Sequence, residues 1–185
     1  MATKIYIDQG HNPINPNAGA EGNGYREQDL VFTIGVELAE ILRAEGYDVR
    51  LSRPTADTQL GTSNATSLAA RVNEANTWGA DYFISLHANS SSLAGASGSE
   101  ALVYNLNSAA AALGADILVG LADATGLPNR GVVQRTDLYV LRRTRMPAVL
   151  VELGFITNAG DASLMANSPQ LFALGVANGI TRYLS

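Results

Sequence analysis

The chain has 185 residues, of which 46% are hydrophobic and 16% charged, a globular composition that excludes disorder. The absence of cysteine excludes disulfides and thiolate metal sites, and a formal charge of -5 argues against general affinity for nucleic acid or anionic membrane. No apolar run approaches the roughly 18 residues of a membrane span, so no membrane insertion is expected.

A chain of this size buries about 70% of its surface, and a single domain over residues 1–185 is expected. Residues 1–4 run directly into a short apolar strand at 4–8, without an apolar leader or small-residue cleavage site, so no signal peptide is expected. Residues 28–45 follow a helical period, with Leu30, Ile34, Leu38 and Ile41 or Leu42 on one face. Gly46 stands where a left-handed C-cap belongs. A second strand is expected at 47–52, then a polar loop at 59–67. Ser67 is the expected N-cap of a helix marked by Leu68, Val72 and Ala75.

Residues 82–86 form a continuous apolar run of the buried, parallel-sheet kind, followed by a Ser/Ala/Gly-rich stretch at 90–99 expected to be a mobile loop. A strand at 101–104 precedes a helix at 108–124 that turns Leu113, Ile117 and Leu121 inward and ends at Gly126. Short strands are expected at 132–133 and 139–141, and a strongly buried one at 148–151. Ser168 and Pro169 open a last helix, with proline at a position where its missing N–H costs nothing; it carries Leu171, Phe172, Val176, Ile180 and Tyr183. The alternation predicts an α/β fold: one open, mostly parallel, twisted sheet of about six strands with helices on both faces. No internal repeat or linker interrupts it.

In open parallel sheets, ligands bind outside the carboxyl ends of the strands. Asp8-Gln9-Gly10-His11 follows the first strand, His87-Ala88-Asn89 the third, and Glu152-Leu153-Gly154 the strand at 148–151. The only two histidines of the chain thus sit at strand ends, with a carboxylate at a third. A lone histidine is more often structural, but this set points to a metal. Zinc suits it, because two neutral imidazoles and a carboxylate leave a fourth tetrahedral position for water. The remaining ligand is expected to be Glu21 or Glu27. Glu27 is preferred because it opens a rigid helix, whereas Glu21 lies in the glycine-rich stretch 19–24. A first-turn carboxylate such as Glu27 would equally serve to complement the helix dipole.

Asp8-Gln9-Gly10-His11, Gly19-Ala20 and Arg26-Glu27 together resemble the opening of the zinc-dependent N-acetylmuramoyl-L-alanine amidase family. Ser85-Leu86-His87-Ala88-Asn89 resembles its second motif. The run from Val149 to Asn158, reading VLVELGFITN, resembles its closing motif. Weaker matches are Leu51-Ser52-Arg53, Arg71 with Asn76, and Gly98-Ser99-Glu100 with Tyr104. The resemblance implies a phosphorylase/hydrolase-like fold with His11, Glu27 and His87 as zinc ligands and Glu152 as the catalytic carboxylate. The residues alone leave open which glutamate binds metal and which handles protons. The implied reaction is hydrolysis of the amide joining the lactyl group of N-acetylmuramic acid to L-alanine of the stem peptide, in peptidoglycan outside the cytoplasm.

The chain departs from the family pattern at Gln9, where proline is common, and at Asn12-Pro13, where two glycines are common. Members with an inserted helix block their zinc. Here the stretch 104–132 has room for one amphipathic helix, expected to cover the sheet, which leaves control to a protein activator or to localisation. Arg130, Arg135, Arg142, Arg143 and Arg145 form a basic patch before the catalytic strand. Arg142 or Arg143, with Asn89, is expected to contact substrate, since arginine forks bind carboxylates bidentately. Three other readings are weaker. A serine hydrolase lacks a Gly-x-Ser-x-Gly elbow here, a P-loop lacks its lysine, and a non-catalytic wall-binding module would not need every metal and catalytic position.

Overall fold

Strand β1 (Lys4–Gln9) leads through a small hairpin, β2 (Glu21–Gly22) and β3 (Tyr25–Arg26), into α1 (Glu27–Ala44). There follow β4 (Asp48–Leu51), α2 (Asn64–Trp78), β5 (Tyr82–Asn89), β6 (Ser99–Val103), α3 (Ala109–Thr125) and β7 (Asn129–Gln134). The chain closes with α4 (Tyr139–Arg143), β8 (Ala148–Phe155), α5 (Ala159–Asn167) and α6 (Pro169–Leu184). These elements come from a computed structural model that describes residues 2–93 and 95–185. Met1, at the start of the expected leaderless N-terminus, and Ala94, within the loop expected at 90–99, lie outside the described residues.

Six strands pair in the order β4-β1-β5-β8-β6-β7. The first four run parallel; β6 pairs antiparallel with β8, and β7 runs parallel to β6. The open, mostly parallel sheet with helices on both faces is therefore present as expected. Strand side chains alternate between faces, and each face has its own core. On one side Ile5, Ile7, Ile84, Leu86, Val149 and Val151 pack under α1, α3 and α6. On the other, Tyr6, Phe83, Leu102 and Leu150 pack under α2 and α4. No helix of the described residues is long and apolar enough to cross a membrane.

Two local expectations need correction, and one element is new. The helix expected to start after Ser67 begins at Asn64, because Ser63 and Thr66 form a reciprocal capping box; Ser67 is a buried residue inside the helix. Residues 139–141 are not a strand. Val140 and Leu141 are both buried, which adjacent strand residues on a one-sided surface cannot achieve, and one helical turn brings both onto the second core. The helix at Ala159–Asn167 has no counterpart among the expected elements; its N-cap Asn158 accepts hydrogen bonds from the Gly160 and Asp161 amides. The single long helix between Tyr104 and Val132 is α3, and it covers the sheet as expected.

The α3–α6 contact depends on missing side chains. Gly120 lies against Gly175, and a Cβ on Gly179 would collide with the backbone of Ile117. Gly179→Ala is therefore expected to lower stability by about 1–3 kcal/mol through overpacking. The urea midpoint measures this, and an unchanged midpoint would show that the two helices separate at no cost.

Candidate active site

Side-chain parity places Asp8, Ser85, His87, Glu152 and Glu100 on the same face of the sheet as Tyr6, Phe83, Leu150 and Leu102. His87 lies opposite Glu152 in the β5–β8 register, and Glu152 lies opposite Glu100 in the β8–β6 register. The carboxyl ends of β1, β5 and β8 thus carry a row of ionisable groups above an apolar floor.

Glu27 is the centre of the cluster. Its Oε1 lies 3.0 Å from Nε2 of His11 and 3.0 Å from Nδ1 of His87. The same oxygen accepts the Ala88 amide at 3.0 Å, and Oε2 accepts the Ala20 amide at 2.9 Å. Donor atoms of His11, Glu27 and His87 all lie within 4.8 Å of one another. Of the two acidic candidates, Glu27 joins the histidines; Glu21 is exposed in β2. Burial alone would raise the Glu27 carboxyl, but the hydrogen bonds from the two imidazoles outweigh it and hold the group well below the usual carboxylate range. Burial likewise opposes a charge on His87, yet the hydrogen bond to Glu27 wins and holds its pKa above the ordinary imidazole value. Two imidazole nitrogens converging on one ionised carboxylate are the donor chemistry that a tetrahedral cation such as zinc requires.

The approach is tight enough to explain the glycine before His11: a Cβ on Gly10 would come within 2.6 Å of the His87 ring. The two departures from the family pattern also find a physical role. Gln9 lies against Gly35 of α1, and its Oε1 accepts the Arg53 amide at 2.9 Å. Asn12 is fully buried; its amide donates to the Leu60 carbonyl at 2.9 Å and accepts the Leu60 N–H at 3.1 Å, stitching the loop after β4 to the His11 turn. His11 itself has a left-handed backbone, with φ 65°. Arg71 pins it: Nη2 donates to the His11 carbonyl at 2.6 Å, while Nη1 pairs with Asp8 at 2.6 Å and donates to the Gln9 carbonyl at 2.7 Å. Ser85 completes this buried network by donating to Asp8 at 2.8 Å.

Glu152 is partly buried, and its Oε2 has no hydrogen-bond partner among the described residues. Burial pushes its pKa up to about 7; His87 opposes the shift, and the carboxylates of Glu27 and Glu100 add to it. A carboxyl poised near neutrality beside a cation donor set can both take and give a proton.

The rest of the closing motif is a fastening. Ile156 N–H donates to the Asn89 carbonyl at 2.8 Å, and the Ile156 carbonyl accepts the Asn23 amide at 2.8 Å. Asp161 accepts from Ser97, Gly98 and Phe155, tying the loop after β5 to the end of β8. Asn89 sits beyond a bulge at the end of β5, and its side chain accepts the Ser90 amide at 2.8 Å. Arg142 and Arg143 are exposed in the last turn of α4. The charge of Arg135 acts on Glu152, and Arg130 lies 4.0 Å from Glu100, the β6 residue opposite Glu152. In the sequence Glu100 stands only within a weak motif, because its antiparallel pairing with Glu152 is a fact of sheet topology.

A family model described as N-acetylmuramoyl-L-alanine amidase matches residues 5–182. The chain belongs to that family. This amidase-family chain is 37% identical over 182 residues to the sporulation-specific N-acetylmuramoyl-L-alanine amidase of Bacillus subtilis, covering 96% of this chain and 66% of that protein. It spans about two thirds of the length of such relatives. The catalytic domain of CwlV, an N-acetylmuramoyl-L-alanine amidase from Bacillus (Paenibacillus) polymyxa var. colistinus, superposes with a TM-score of 0.85 at 32% identity, with 98% of both chains covered. The CwlD amidase from Clostridioides difficile, solved in complex with the GerS lipoprotein, shares the fold with a TM-score of 0.90 at 24% identity and 98% coverage of both chains.

Proposed function

We propose that this chain is a zinc-dependent peptidoglycan hydrolase that cleaves the amide between the lactyl group of N-acetylmuramic acid and L-alanine of the stem peptide. The observation that carries the reading is the partly buried Glu152 carboxyl, raised to about 7, one strand away from the convergent His11–Glu27–His87 donor set. Those three residues would hold the zinc. When bound there, zinc polarises the scissile carbonyl and lowers the pKa of its water to about 7.

Glu152 supplies what the amide bond demands in addition, a proton for the departing nitrogen, since an amine cannot leave as an anion. It takes that proton from the attacking water and returns it on the other side of the reaction. Beside a bound cation its carboxyl ionises more readily, as the base role requires. Glu27 stays ionised throughout, because the groups around it favour its charged form.

The deciding experiment pairs metal content with release of muramyl-linked peptide before and after chelation. About one zinc per chain is expected, with activity lost on chelation and restored by zinc. A serine hydrolase would survive chelation, and a binding module would hold zinc without hydrolysis; either result overturns the reading. Because Glu27 holds the His87 pKa above its ordinary value, zinc uptake at neutral pH is expected to release protons, and affinity to weaken as pH falls. Calorimetry in buffers of different ionisation enthalpy measures that release.

Substrate contacts at Asn89, Arg142 and Arg143 belong to the same proposal. Charge reversal at Arg142 or Arg143 is expected to raise KM, and an unchanged KM assigns both to the solvated surface. The proposed site of action is the cell wall, as for the Staphylococcus aureus relative named a probable cell wall amidase. A protein partner is proposed on the analogy of the neighbour solved with a lipoprotein.

A further inference from the structure

At the end of the sheet away from the histidines, a cavity of about 340 Å³ opens between α4, the start of β8 and the start of α3. Tyr104, Ala110, Leu141, Met146, Pro147 and Ala148 line it. Ala148 opens β8, whereas Glu152 lies further along the same strand, roughly 13 Å away at the usual rise per residue. The cavity shares no residue with the metal and proton-carrying groups. Its rim is basic: Arg142 follows Leu141, Arg145 precedes Met146, and Arg142, Arg143 and Arg145 are all exposed. Asn76 of α2 fixes this turn, donating to the Arg143 carbonyl at 3.1 Å and accepting the Arg145 amide at 2.9 Å. Every other arginine has a carboxylate or carbonyl partner; these three guanidinium groups have none among the described residues. The one carboxylate between Asp123 and Glu152 is Asp137, and Arg135 holds both its oxygens.

An open apolar cavity rimmed by unpaired cations fits a partner that brings an apolar knob and negative charge together. A chain with a formal charge of -5 gathers positive charge on this one face, which steers an acidic partner towards it. A phosphate-rich polymer would meet the arginines and leave the apolar cavity empty, and a flat membrane offers no knob to a concave surface. We infer that this face docks an acidic protein segment, which seats one large apolar side chain between Tyr104, Leu141 and Met146 and lays its carboxylates on the arginine rim. Burial of that anchor supplies the affinity, and the flexible methionine lets the wall adapt to its shape.

The test uses the full chain and short random peptides displayed on phage. Selected peptides are expected to combine several Asp or Glu residues with a Leu, Met or aromatic anchor. The leading one, made synthetically, is expected to lose about tenfold or more in affinity for either Tyr104→Glu or Arg145→Glu and to bind more weakly as salt rises. Neither residue is among the proposed substrate contacts, so hydrolysis of cell wall by both variants is expected to match the parent. Both side chains are exposed; thermal midpoints report on folding, and Tyr104→Ala serves if the first variant fails. No enriched peptide, peptides without acidic residues, or equal binding to the variants overturns the proposal. Poly(glycerol phosphate) and anionic vesicles are measured alongside. Tighter binding of either one, lost in Arg145→Glu but kept in Tyr104→Glu, makes the face a general anion surface and overturns the protein segment. Self-association of the parent that both variants abolish gives the face to a second copy and overturns it too.

Discussion

Glu152→Gln is expected to retain zinc and fold while losing about 10²–10⁴-fold in kcat, the range typical of removing a positioned proton carrier. The amide side chain has nearly the same shape and leaves the β5–β8 register undisturbed, so a loss cannot be assigned to unfolding. It neither accepts a proton from water nor delivers one to the departing nitrogen. Replacement also removes a partly buried carboxyl that has an oxygen without a partner among the described residues and a pKa raised to about 7. The variant is accordingly expected to be as stable as the parent or slightly more so. Near-parental turnover with zinc in place would take Glu152 out of the mechanism. His11→Ala separates the two functions of the site, since it is expected to lose zinc and activity together.

Arg71→Met is expected to cost about 3–5 kcal/mol, the usual consequence of leaving one member of a buried ion pair unpaired. Asp8 is 2% exposed and Arg71 1% exposed, so no solvent screens the orphaned carboxylate. Burial opposes ionisation of Asp8, but the Arg71 guanidinium outweighs it and holds the carboxyl below its usual range. The stability that this confers on the parent is fully present above the unfolded-state pKa of about 3.9 and is lost as pH falls through the lower folded-state value. In the variant burial acts unopposed by Arg71, so the deficit is greatest at neutral pH and shrinks as acid protonates Asp8. Denaturation midpoints across that range check the sign; a deficit that does not vary with pH would mean the pair contributes through packing alone. The same substitution frees the His11 carbonyl, and weaker zinc retention is expected to accompany the loss of stability.

The outline of the fold was legible because its signals are local. Strands buried on both faces read as apolar runs, and helices covering them read as 3.6-residue periods. Where local signals competed, tertiary context decided. Serines at 63 and 67 both suit an N-cap, and the choice went to the one with Thr66 three residues on. At residues 139–141, β-prone side chains formed a helical turn because two adjacent apolar residues had one core to enter. The arginines before β8 stand out in the sequence by their number, but only the structure brings Arg130 within 4.0 Å of Glu100 and lets the charge of Arg135 act on Glu152.

For the site, the sequence by itself determined the residue types: two histidines and a glutamate at strand ends, with a second glutamate opening a helix. It left open which glutamate meets the histidines, because Glu21 and Glu27 lie six positions apart and only the path of the β2–β3 hairpin separates them. The tertiary structure made that decision by placing α1 so that one Glu27 oxygen reaches both imidazoles. It also supplied Glu100 beside Glu152 and Arg71 beneath His11. Each of these is a contact between segments far apart in the chain. Periodicity and spacing describe neighbours along the backbone; pairing across a sheet and packing between layers arise only once the whole domain has closed on its two cores.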